Sequence, residues 1–71
     1  MRSTWRRLVG REVAVTMVDT TGERVIVGTV DEAGGDAIAL VGAETASGTS
    51  VDGRLWIPTA RIVTVQEPSW P

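Results

Sequence analysis

The side chains able to do chemistry in this chain are arginines, carboxylates and tryptophans. There is no His, Cys or Tyr, and every cation is an arginine because Lys is absent as well. The usual general bases and nucleophiles are therefore missing. What remains for acid–base work is a carboxylate pair such as Asp31/Asp36 or Asp19/Glu23. Both pairs sit in turn-like stretches, where acids are ordinarily solvated. The same acids could meet a hard cation, but their spacing does not follow an EF-hand loop. Lack of Cys and His also excludes disulfides and the common zinc sites. Gly34-Gly35 opens no helix, which a phosphate cradle requires. The expectation is a non-enzymatic chain with no metal and no cofactor.

Binding is the other chemistry open to Arg and Trp. Arg2, Arg6, Arg7 and Arg11 crowd the first residues, while the nine acids outnumber the seven arginines for a net charge of −2. Phosphate neutralisation dominates nucleic-acid affinity and normally brings a clear basic excess. The balance here argues against nucleic acid as the partner. The candidate protein-interface residues are Trp5, Trp56 and Trp70, with Arg6 and Arg7 beside the first of them. Each has a plainer alternative. Trp5 can staple a helix to the core, and Trp56 can pack beneath that helix or a long loop. Arg6 and Arg7 can form the solvated face of a first turn. Trp70, between Ser69 and Pro71, has no local partner and is either disordered or inserted into a neighbouring subunit, which makes it the best candidate for an intermolecular contact.

These residues need elements to hold them. Residues 3–9 read as a short helix, with Ser3 or Thr4 as N-cap and Gly10 as C-cap. Trp5, Leu8 and Val9 would share one face. Arg11 to Val18 alternates as a first strand, with Val13, Val15 and Met17 on one side. Asp19 to Glu23 is a turn with Gly22 placed for positive φ. Arg24 to Asp31 is a second strand of a different kind, apolar on both faces with Gly28 in the middle. That combination predicts a strand bent at Gly28 and buried on both sides. Glu32 to Asp36 is another turn, and Ala37 to Val41 a third strand with Ile38 and Leu40 toward the core. Gly42 to Gly53 is small and polar, a long mobile hairpin loop able to extend the flanking strands. Arg54 to Pro58 is the fourth strand; Leu55 and Ile57 face inward there and Trp56 outward. Thr59-Ala60-Arg61 is a tight turn, and Ile62 to Gln66 the fifth strand.

The chain is thus divided into an arm and short helix over 1–10, a small β-barrel over 11–66 and an extended tail over 67–71. The 71 residues form one domain, small enough that a lone core supplies only about 3–5 kcal/mol of net stability. Oligomerisation or docking on a larger body is the natural supplement. The basic stretch Met1–Arg7 is followed by no apolar h-region, and no run reaches transmembrane length. A cytoplasmic protein with no membrane partner is expected.

Together the elements describe an all-β chain: a five-stranded, strongly bent antiparallel barrel with a short N-terminal helix. Over most of residues 4–66 it resembles the SH3-like small barrels, and the Sm-like family among them. Val9-Gly10-Arg11-Glu12-Val13 after the short helix looks like the Sm entry. Ile26-x-Gly28-x-Val30 is similar to its bent second strand, and Ile57 to Ile62 to its exit strand, turn and closing strand. The resemblance implies RNA reading by an Asp and an Asn in one turn and an Arg-Gly or Lys-rich element in another. Here those places hold Asp31 to Ala37, without Asn or aromatic, and Pro58-Thr59-Ala60-Arg61, without Gly. RNA binding needs stacking platforms and a positive track, so that function is not carried over. The expected role is a non-catalytic structural or assembly module that self-associates or docks on a larger protein scaffold. An Arg-only chain suits a GC-rich genome, and an accessory capsid or tail protein of a phage with such a host is the specific expectation. The alternative is an Sm-like ring protein binding RNA or DNA.

Overall fold

Alternation of β-branched and small residues sets the first hairpin. In the computed structural model, which describes residues 4–68, strand β1 runs Glu12–Asp19 and β2 runs Gly22–Ala33. They pair antiparallel from Glu12 opposite Thr29 to Asp19 opposite Gly22. Four further strands follow: β3 (Ala37–Thr45), β4 (Ser50–Val51), β5 (Leu55–Pro58) and β6 (Ile62–Gln66). The sheet order is β4-β3-β2-β1-β6, with β5 also paired to β3. Every pairing is antiparallel.

The all-β class holds, with two changes of detail. First, about half of the predicted loop over Gly42 to Gly53 is sheet, in the extension of the flanking strands that the loop allowed. β3 continues to Thr45, and Ser50–Val51 returns along it. The turn between them is closed by Thr45 N–H donating to Thr49 O at 2.9 Å and by the Thr45 hydroxyl, which accepts from Thr49 N–H at 3.2 Å. Small hydroxyl residues therefore act as turn formers here, not as a mobile tract. β4 and β5 lie on the same edge of β3, so the predicted fourth strand is an interrupted edge and the count is six. Second, β6 at one end of the sheet is not hydrogen-bonded to β4 or β5 at the other. The sheet is open where a closed barrel was expected.

Bulges supply the bend. Between Val27 and Thr29 the partner strand advances from Glu44 to Val41, so Gly42 and Ala43 together oppose Gly28. Gly42 sits at φ +61°, a conformation costly for a side chain with a Cβ. Gly28 is needed for room: a Cβ there would lie 3.1 Å from Ala43 Cα and 3.2 Å from Val41 O. A second bulge at Asp31 and a third at Val63 twist the strands further.

The core is Val13, Val15, Ile26, Val30, Ile38, Leu40, Ala43 and Ile57. Leu8, Met17, Leu55, Ile62 and Val65 close around it. The expectation that β2 is buried on both faces is overturned. Ile26, Gly28 and Val30 are buried, but Val25 and Val27 are 39% and 37% exposed. Thr29, on the same face, is half-buried.

The N-terminal element is a 3-10 helix, Thr4–Leu8, not the α-turn expected over 3–9. Five residues are too few to nucleate a stable α-helix. The tighter winding eclipses residues at i and i+3. Trp5 and Leu8 accordingly share the face packed on the core, and Val9 leaves it, 47% exposed. Gly10, at φ +87°, ends the turn. Its N–H donates to Val30 O at 2.8 Å, and Val30 N–H donates to Arg11 O at 3.0 Å. The turn is thereby stitched to the middle of β2. The Ser3 cap lies outside the described residues.

Candidate interaction surface

Three tryptophans were the sequence's strongest binding signals, and they separate. Trp5 is half-buried against the core, so it is a staple first. Its remaining surface lines an open cleft of about 630 Å³ with Arg7, Leu8, Arg11, Val65 and Glu67. The lining mixes apolar and charged side chains, and Arg11 Nη1 meets Glu67 Oε2 at 2.8 Å within it. Trp56 stands opposite Ala39 on the outer face of β5 and is 51% exposed. It borders the turn between β2 and β3, from Glu32 to Ala37. Trp70 lies outside the described residues. Arg6 and Arg7 are exposed and form no ion pair among the described residues. Only Arg7 joins Trp5 at the cleft.

Of the carboxylates singled out for acid–base work, Asp19 and Asp31 have side-chain partners. Asp19 accepts hydrogen bonds from Thr21 N–H at 2.7 Å and Thr21 Oγ1 at 2.6 Å, and pairs with Arg24 Nε at 2.7 Å. The Thr21 hydroxyl and amide, helped by Arg24, hold its carboxyl below the ordinary value of 3.8. This is an Asx turn closing the first hairpin. Asp31, in its bulge, meets Arg54 Nε at 2.7 Å, and Glu32 lies 3.9 Å from the same guanidinium. Arg54 thus ties the break between β4 and β5 to β2, with β3 between them in the sheet. The Asp36 carbonyl accepts from Thr59 N–H at 2.8 Å, anchoring the second 3-10 turn, Thr59–Arg61. Among the described residues no three acidic side chains gather as a metal-binding set. No described helix is long and apolar enough to cross a membrane.

Two features escaped sequence reasoning. One is the outer face of β1 and β2. Register places Thr16 beside Val25, Ala14 beside Val27 and Val18 beside Glu23, so Val18, Val25 and Val27 form an apolar face rimmed by Glu23 and Glu44. The signal was in view as the two-faced β2 strand, but burial was the ordinary reading of it. The other is the pair of edges left unpaired among the described residues, β6 and the β4/β5 side of β3. Edge status follows from strand order, which no local pattern reveals.

The sequence matches no family model. Comparison with curated proteins and with solved structures likewise finds no similar chain.

Proposed function

We propose that this chain is a non-catalytic assembly module: a small barrel-like domain of SH3-like kind, akin in architecture to the Sm-like family, that self-associates or docks on a larger protein scaffold. The observation that carries the reading is an open sheet, its two unpaired edges left beside an outer face bearing exposed Val18, Val25 and Val27. Unpaired edges are templates for another chain. The strand order, a meander of neighbours with the last strand beside the first, supports the SH3-like kinship. The missing His, Cys, Lys and Tyr support the non-catalytic role. An acid excess with arginine as the sole cation supports a protein partner, and with it a phage capsid or tail accessory role in a GC-rich host. On this reading the chain is cytoplasmic at synthesis and later part of a particle.

The competing reading is a ring that binds RNA or DNA, favoured only by exposed Arg6 and Arg7. RNA affinity measured across a salt series separates the two. The assembly module shows no steep salt slope; a symmetric ring whose affinity falls steeply with salt overturns it.

A further inference from the structure

The two edges of the sheet differ. The β4/β5 edge is cut into pieces of two and four residues, interrupted over 52–54 and ended by Pro58. Short strands and proline are the devices that keep an edge from pairing with other chains. β6 is an unbroken Ile62-Val63-Thr64-Val65-Gln66 with no charge and no proline, and its one irregularity is the bulge at Val63. Val63 is also the most exposed large apolar residue among those described, at 53%.

We propose that β6 pairs antiparallel with β6 of a second copy of this chain, about a two-fold axis at Thr64. This rests on the assembly reading above and names its surface and its partner. Thr64 lies opposite Thr16, on the outer face, whereas Ile62 and Val65 lie opposite Met17 and Val15, on the core side. An antiparallel register centred on Thr64, with Val63 left in its bulge, therefore sets Thr64 against Thr64 and Val65 against Ile62. Faces match at both steps, apolar with apolar and hydroxyl with hydroxyl. The next step brings Arg61 of one copy against the Gln66–Glu67 end of the other. Arg61 is exposed and forms no ion pair among the described residues, and Glu67 is reached so far only by Arg11. Two-fold symmetry makes this charge match occur twice. A self-complementary patch of this kind is how closed dimers form, while a head-to-tail edge contact would leave both ends open. An edge contact of this size gives a weak, reversible dimer.

The test is light scattering of the full chain from low micromolar to near-millimolar concentration, with substitutions at the axis. Thr64 is exposed, so charge there spares the fold; circular dichroism checks that. Thr64→Lys and Thr64→Glu each set like charges face to face, and each is expected to be monomeric where the parent chain is dimeric. An equimolar mixture of the two is expected to regain the dimer, since Lys then faces Glu. Arg61→Glu is expected to weaken the dimer about tenfold. Self-association of Thr64→Lys equal to the parent's overturns the β6 axis while leaving the assembly reading in place, on another surface. A parent chain that stays monomeric throughout overturns the dimer itself. Failure of the broader reading has a separate signature, the salt-steep RNA affinity described above.

Discussion

A methyl group added at Gly28 would meet backbone atoms of Ala43 and Val41 at 3.1 and 3.2 Å, whereas one added at Gly42 would meet nothing within 4 Å. The two glycines serve one bend for different reasons, and their variants should separate them. Gly28→Ala is expected to lose about 1–3 kcal/mol through crowding. Gly42→Ala is expected to lose about 1–2 kcal/mol through its left-handed φ. Asn tolerates that conformation, so Gly42→Asn should be milder than Gly42→Ala, while Gly28→Asn should be worse than Gly28→Ala; urea unfolding reads all four. Asp19 gives a pH prediction. Its folded carboxyl titrates below 3.8, so its contribution is present above that pH and is lost as pH falls through the folded value. The stability gap between the parent and Asp19→Asn should therefore shrink on acidification below that range. Gly28 was legible in the sequence because it interrupts a β-branched run. Gly42 was not, since its neighbours are small and polar and resemble a loop.

At the scale of elements, β2 carries the sharpest contrast. Leu40, fully buried where β3 meets β2, should cost about 2–5 kcal/mol as Ala. That is comparable to the whole stability of about 3–5 kcal/mol available to so small a core, so Leu40→Ala should be largely unfolded by circular dichroism at 25 °C. Val25→Thr, on the exposed face of β2, should change stability by less than about 0.5 kcal/mol. Equal effects at the two positions would contradict the contrast between the buried core and the exposed face of β2. The inward sets of β1, β3 and β5 were readable from period-2 alternation, with Val13, Val15, Ile38 and Ile57 all buried. The apolar outer side of β2 misled because alternation reports which residues share a face and not whether that face is covered. The N-terminal turn was placed correctly in the chain but wound more tightly than expected. Its length, five residues, decides that, and with it the departure of Val9 from the core.

For the whole molecule, the central fact is that among the described residues no strand pairing closes the sheet. Closure would have hidden both edges; left open, the sheet offers β6 and the valine face to other chains. Of the tryptophans among the described residues, Trp56 stands clearly outside the core and Trp5 is held as a staple beside exposed Arg7. Edges are a property of strand order, which the local pattern of residues does not carry. The most direct test of the assembly module is its molar mass in solution as concentration is raised. The account predicts a reversible rise from one chain toward two, without salt-steep RNA binding. A mass fixed at one chain up to near-millimolar concentration, together with RNA affinity that collapses as salt is added, would contradict it.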